Sequence, residues 1–186
     1  VQVYDISGDT DFDDLAGSPP RAAYVAVVGR FLVLSGLASN PYRTHWSGLG
    51  DVTNWTAGTA SSDYQDAPDG GIVRQVLGGE VGFILQDSVI RRMVFSGGEV
   101  IFTIEKIAKD IGLLHPYAAC TCGDKIFFLS AKGFLQSDAN GGLQPIGAEK
   151  VDRTFLATYD SSAPQLVQMA ADPNTNVAAV ASVATS

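Results

Sequence analysis

Along the chain, short runs of β-branched and aromatic residues are punctuated by Gly, Asn, Asp and Ser: "AAYVAVVG", "RFLVLSG", "GIVRQVLGG", "GFILQDS", "VIRRMVFSG", "VIFTIEKI", "YAACTCG", "KIFFLS" and "FLQSD". Apolar runs of this length between turn formers predict strands, and so many of them predict an all-β protein. One stretch offers a helical alternative. In "EKIAKDIGLL", Glu105 to Leu114, apolar positions 107, 108, 111, 113 and 114 fit a short helical face or a strand followed by a loop equally well. We read it as strand plus loop.

The strands also recur in order. "AAYVAVVGRFLVLSG" is echoed by "GIVRQVLGGEVGFILQDS" and by "YAACTCGDKIFFLSAKG", each a strand, a glycine turn, a strongly apolar strand and a polar turn. A fourth and weaker copy is "LVQMAADPNTNVAAVAS". The turn residues Gly29, Gly79, Gly123 and Asn174 are 50, 44 and 51 positions apart. A period in that range with about four strands per unit predicts a β-propeller-like fold of about four blade repeats. The turns "VGR", "GGE", "CGDK" and "PNTN" supply the Gly, Asn or Asp of tight hairpins, and the most apolar strands are expected to be the inner ones. The opening strand "VQVYDIS" either completes the last blade and closes a small ring, or residues 1–186 belong to a larger propeller. With no Gly/Ser or Pro-rich linker, the chain reads as a single propeller domain or propeller fragment.

Composition narrows the function classes. Of 186 residues 46% are apolar and 17% charged, which supports a folded core and excludes a disordered polymer. The net charge of −8 disfavours a protein that grips nucleic acid, because that affinity comes from Lys and Arg displacing counterions. No apolar run approaches the roughly 20 residues that cross a bilayer, and the first residues carry neither a basic nor an apolar signal region, so no membrane role is expected. Cys120 and Cys122 are one residue apart, point the same way in a strand and read as reduced thiols.

The candidate sites are few. Asp9, Asp11 and Asp13 match the first three ligand positions of an EF-hand loop, but Asp14 stands where Gly is needed and Pro20 where Glu is needed, so they read as a solvated acidic loop. His45 and His115 have no ligand partners at metal spacing. Ser47 in "WSGLG" lacks the glycine arrangement of a nucleophile elbow. Asp63, Asp66 and Asp69 in "SSDYQDAPDGG" are the best candidates for a glycosidase carboxylate pair, against a reading as turn residues beside Pro and Gly. There is no Asp-box, no repeated Trp-Asp pair and no Kelch spacing among the glycine pairs at Gly70, Gly78, Gly97 and Gly141. Neither catalytic residues, metal ligands nor a cofactor site is assigned. Trp46 and Trp55, the two tryptophans, fall in "RTHWSGLGDVTNW", where aromatics beside small polar residues suit a sugar cleft as well as a strand ending in turns; they read as scaffold.

The ordered set of motifs in this chain resembles a family of tailed-bacteriophage virion proteins, the tail, head-to-tail connector and tubular or nozzle components. The family pattern N-R-V-x-W-S then N-D-P-x-x-W is similar to "YRTHWSGLGDVTNW"; its D-G-G turn matches "DGG" at Asp69, its Q-x-x-S-I-x-R segment "QDSVIRRM" at Gln86, and its P-I-G…V-D-R-T-F stretch "PIGAEKVDRTF" at Pro145. The resemblance spans about Val1 to Asp160. The chain departs from it at Asp51-Val52, where the family has Asp-Pro, and in the last copy, which lacks aromatics after "DPNTNV". What the resemblance implies is a non-enzymatic virion structural protein. Its subunits would form a homo-oligomeric ring, sixfold in expectation, around the DNA exit channel of the tail. Neighbouring tail or connector proteins would be its partners, phage DNA would pass without specific binding, and assembly would take place in the host cytoplasm. A net-negative subunit fits a channel that a polyanion must slide through. The alternative class is a glycan-binding or glycan-cleaving β-propeller, which needs a stacking aromatic beside two convergent carboxylates.

Overall fold

The computed structural model describes residues 1–148, 150–172, 174–175 and 177–183. Strand makes up 48% of the chain, about twice the ordinary share, and the described residues hold one α-helix. The protein is therefore all-β, as its strand pattern predicts. The opening residues form a small pair, β1 (Gln2–Val3) and β2 (Asp13–Asp14). Three four-stranded antiparallel meanders follow. The first runs β3 (Ala22–Val28), β4 (Phe31–Leu37), β5 (Arg43–Trp46) and β6 (Asp63–Asp66); the second β7 (Val73–Leu77), β8 (Val81–Gln86), β9 (Val89–Phe95) and β10 (Phe102–Lys109); the third β11 (Ala119–Cys122), β12 (Lys125–Ser130), β13 (Gly133–Asp138) and β14 (Leu143–Pro145). Helix α1 (Asp152–Thr158) then leads to a two-stranded sheet, β15 (Gln168–Asp172) and β16 (Val177–Ala181).

The repeat in the sequence is the repeat in the structure. Its four copies are the hairpins β3–β4, β7–β8, β11–β12 and β15–β16. Residues 105–114 are the end of β10 and a loop, not a helix. Two expectations fare differently. The opening strand pairs with β2, Gln2 opposite Asp14, and not with the fourth copy. Among the described residues that copy has two strands where the others have four, and none of the five sheets closes on itself. Pro173 and Asn176 of its "PNTN" turn lie outside the described residues.

The most apolar strands, β4, β8 and β12, are the second of each sheet and are buried along nearly their whole length. A strand covered on both faces needs an unbroken apolar run rather than alternation, which is why "GFILQ" shows no period of two. First strands meet between successive sheets, β3 against β7, β7 against β11 and β11 against β15, and the second strand β4 also packs against β7. The sheets stack face to face through two cores. Between the first and second sheets, Val28, Phe31, Val33 and Trp46 pack with Val73, Ile84, Met93 and Phe102. Between the second and third, Phe83, Leu85 and Ile90 pack with Ile126, Phe128 and Leu135. Neighbours Phe83, Ile84 and Leu85 thus feed opposite cores, as a pleated strand requires.

Glycine turns also join the sheets. Gly29 and Gly79 both have positive φ, 55° and 145°, which only glycine adopts cheaply. Their backbones bond to each other: Gly29 N–H donates to the Gly79 carbonyl at 2.8 Å, and Gly79 N–H to the Val27 carbonyl at 3.0 Å. A Cβ on Gly78 would strike the Val27 backbone. The spacing seen in the sequence therefore serves contact between copies as well as hairpin geometry.

Candidate functional site

The stretch from Arg43 to Trp55 is built inward. Trp46 ends β5 at 4% exposure, its indole N–H donating to the Ser61 carbonyl at 3.0 Å and its ring edge-on to Phe102 at 5.1 Å. Trp55 is 7% exposed, donates to the Val52 carbonyl at 2.9 Å, and packs with Leu15 and Leu34. Between them the chain folds into consecutive turns. Asp51 accepts from the Thr53 amide and hydroxyl, and Asn54 accepts from the Thr56 amide. Ser47 is fully buried, and its hydroxyl accepts from the Leu32 amide at 3.0 Å, which makes it a tie between β4 and this loop. Neither indole presents a stacking face to solvent, because a large ring with a satisfied N–H is most stable inside.

The three candidate carboxylates do not converge on a cleft. Asp63 and Asp66 lie in β6 rather than in a turn, contrary to the turn reading, because "DYQD" pairs in full with β5. Asp63 accepts from the Tyr64 amide at 2.8 Å. Asp66 receives Arg43 bidentately, Nε at 2.6 Å and Nη2 at 2.8 Å, while the same guanidinium lies over the Tyr64 ring. Asp69 sits in a 3-10 turn and is held by Lys106 and by Arg91, whose Nη2 is 2.5 Å from Oδ1. Hydrogen bonding by Arg43 holds the Asp66 carboxyl below its usual range. Lys106 and then Arg91 hold Asp69 at about 2. A glycosidase acid needs the opposite shift, upward, to keep a proton at neutral pH.

Asp69 belongs to a network whose members come from two of the motifs. Arg91, at 5% exposure, also donates from Nε to the Gln86 Oε1 at 2.8 Å. Gln86 is fully buried, and its Nε2 donates to the Ala67 and Gly71 carbonyls at 2.8 and 2.7 Å. Ser88 N–H donates to the Gly70 carbonyl at 3.1 Å. The "DGG" turn and the "QDSVIRRM" strand are thus one joint, pinning the crossover between the first and second sheets to the middle of the second. Sequence reasoning quoted these residues without a role for Gln86 and Arg91. The available signal was a charged residue on the buried phase of β9, a position that a strand tolerates only when the charge is paired.

A second joint closes the third sheet. In "PIGAEKVDRTF" the Asp152 carboxylate accepts from the Phe134 amide at 3.0 Å, and it fills the space that a Cβ on Gly133 or Gly147 would need. The segment winds into α1, a helix that the strand reading of the chain did not anticipate. Phe155 and Tyr159 share one helix face, stacked at 5.5 Å, and Phe155 meets Phe134 at 5.0 Å. This short helix has no side-chain cap and no buried residue, so tertiary contact rather than propensity holds it.

The other candidates are dispersed. Asp9 accepts from the Asp5 amide and Asp11 from the Phe12 amide, while Asp13 is in β2. Among the described residues no three His, Cys, Asp or Glu side chains are grouped to hold a metal ion. His45 lies between Trp55 and Tyr64, and His115 Nε2 is 3.1 Å from the Tyr159 hydroxyl. Both cysteines are free thiols, with Cys120 buried and its pKa raised by that burial. Clefts of about 300 and 240 Å³ open at opposite ends of the seam between the second and third sheets. The first is lined largely by turn residues such as Gly79 and Gly123, the second by Ser88, Ile111 and Lys132.

These ionisations set an acid limit on stability. Asp69 has a folded value near 2 against about 4 unfolded, so its stabilisation is present above about pH 4 and is lost as pH falls toward 2. Its side chain is 46% exposed, which keeps the effect modest. Burial lowers His45 and His115, so their contribution is full above about pH 6.5 and declines below it. The urea midpoint is expected to fall in both windows, and Asp69→Asn is expected to lessen the fall in the lower one, where Asp66 also contributes, and to leave the upper one unchanged.

Compared with known proteins, the chain matches no family model and no curated protein. The molecule itself defines a class: an all-β protein of successive antiparallel meanders stacked face to face, with buried polar groups that pin crossovers and connecting segments to the sheets. Among the described residues no helix is long and apolar enough to cross a membrane.

Proposed function

We propose that this chain is a non-enzymatic structural subunit of a tailed-phage virion, part of a ring in the tail or head-to-tail connector around the DNA exit channel. The fold is a β-propeller arc. Each meander is a blade, its first strand turned toward its neighbours, and the fourth blade contributes two strands here. The observation that carries the reading is where the resemblant motifs fall. Asp69, Gln86, Arg91, Gly147 and Asp152 tie sheets and segments to one another inside the subunit, and Trp46 and Trp55 are buried. Motifs spent on internal joints suit a protein whose task is to hold its shape under load. The net charge of −8 suits a wall past which DNA must slide. Subunits meet as a homo-oligomeric ring, sixfold by the resemblance, with other tail proteins above and below; virions are its location.

Electron microscopy of the purified protein, alone and added to virions lacking it, tests this. Rings with a central channel wide enough for duplex DNA, and density at the tail, are expected. Single particles without a channel that leave the tail unchanged would sink the proposal.

A further inference from the structure

The tip of the β13–β14 hairpin holds a reactive pair. An asparagine side chain is open to attack by the backbone nitrogen of the residue that follows it, which closes a five-membered imide. Of the five asparagines, Asn40 precedes Pro41, Asn54 precedes Trp55, Asn174 and Asn176 precede Thr175 and Val177, and only Asn140 precedes a glycine. Proline has no N–H to lose, and branched or aromatic side chains crowd the approach, whereas glycine leaves it clear. The attacked side chain must also be free to turn. Asn40 donates from Nδ2 to Asp66, and Asn54 accepts from the Thr56 amide. Asn140 is exposed, and among the described residues its side-chain amide has no hydrogen-bond partner.

The turn around Asn140 belongs to the seam between the second and third sheets. Gly141, with φ of 88°, donates its N–H to the Asp138 carbonyl at 3.0 Å, and Asp138 Oδ1 accepts from the Asn140 and Gly142 amides at 2.8 and 3.3 Å. Arg92 of the second sheet donates from Nη1 to the Ala139 carbonyl at 2.7 Å. Gly141 also lies against Ile107 of β10, where a Cβ would come within 3.2 Å. Beyond the tip, β14 is an outer edge strand of three residues, none of them buried. Hairpin ends of this kind open locally at little cost.

We infer that Asn140 is a site of spontaneous modification, deamidating through a cyclic imide with Gly141, and that the isoaspartyl product loosens this corner of the seam. Once the bond to Asp138 opens, the Gly141 nitrogen attacks Asn140 Cγ. A C–N bond forms, the carboxamide C–N bond breaks, and the side-chain nitrogen leaves as ammonia with the proton that Gly141 gave up. Water then opens the imide at one carbonyl or the other, to aspartate or to isoaspartate. Water enters and ammonia leaves, with no oxidant or cofactor. Isoaspartate routes the main chain through the side-chain carbon and lengthens it by a methylene between Ala139 and Gly141. The turn bond to Asp138 and the pairing of Ser137 with Leu143 cannot both survive that insertion. Aspartate adds only charge. The inference holds whatever the protein assembles into.

The folded, full chain aged at mildly alkaline pH tests it, with digestion, mass spectrometry and labelling by an isoaspartyl methyltransferase as readouts. Asn140 is expected to convert well ahead of Asn40 and Asn54, to both products. In urea, where the turn bond is gone, it should convert several-fold faster. Asn140→Gln, whose longer side chain closes a ring far more slowly, should take no label at this position. Hydrogen exchange of the β14 amides is expected to be faster in the isoaspartyl form than in Asn140→Asp, which carries the charge without the added methylene. Conversion of Asn40 or Asn54 as fast as Asn140, or conversion of Asn140 in urea alone, would overturn the site. Equal exchange in the isoaspartyl form and Asn140→Asp would overturn the loosening.

Discussion

Trp46→Ala is expected to lower the melting temperature by roughly 6 to 20 °C, from a cost of about 3–5 kcal/mol and about 2–4 °C per kcal/mol for a chain of this size. The reason is the position of the ring. It ends β5, lies against Phe102 of the next sheet, and shares its core with Phe31, Val73 and Met93. Removing it empties the seam between two sheets and strands the Ser61 carbonyl that its indole serves. With total stability usually about 5–15 kcal/mol, a large part of the population would unfold near body temperature. Trp55→Ala, in a smaller cluster with Leu15 and Leu34, is expected to shift the transition less. An unchanged melting curve for Trp46→Ala would mean that the ring is a surface platform.

Arg91→Met is expected to cost about 1–4 kcal/mol in urea unfolding. The substitution keeps the packing volume of a side chain that is 6% exposed but leaves Gln86 Oε1 buried without a donor, which costs roughly 1–3 kcal/mol. It also breaks the half-exposed pair with Asp69, worth about 1 kcal/mol or less. Asp69→Asn should cost less, because Arg91 would keep Gln86 and could still donate to the Oδ1 of the introduced amide, so that only the charge of the pairs with Arg91 and Lys106 is lost. The order of the two effects is the decisive result. If Asp69→Asn proved the costlier, charge neutralisation of Arg91, and not the satisfaction of Gln86, would hold the joint.

Both predictions concern residues that the sequence singled out, but in different ways. The tryptophans were legible as scaffold because a strand ending in Gly, Asn and Asp turns has a local explanation for each polar neighbour. The carboxylates were not. Asp63, Asp66 and Asp69 fall within seven positions of one another, and nothing local says that Asp66 faces Arg43 across a strand pair while Asp69 meets Arg91 and Lys106 from another sheet. Ion pairing is a relation between segments, and spacing along one segment does not contain it. The helix α1 escaped for a similar reason: "DRTFLAT" lacks a cap, and Phe155 is held by Phe134 from 21 positions upstream.

What the sequence by itself determined is the list of hairpins and their order. β-branched and aromatic runs and turn glycines are local, so four copies at a near-constant spacing could be read directly, down to Gly29, Gly79 and Gly123 at their turns. What only the tertiary structure decided is which strands meet. The apolarity of β4, β8 and β12 reports cover on both faces of a sheet, which these strands obtain as the second strand of each stacked meander. First strands touch between sheets as well, in part through backbone bonds such as Gly29 to Gly79 that leave no mark in side-chain hydrophobicity. The opening strand's partner was undecidable for the same reason. Pairing with β2 or with the last copy satisfies the same backbone groups, and only the path of the intervening chain selects between them.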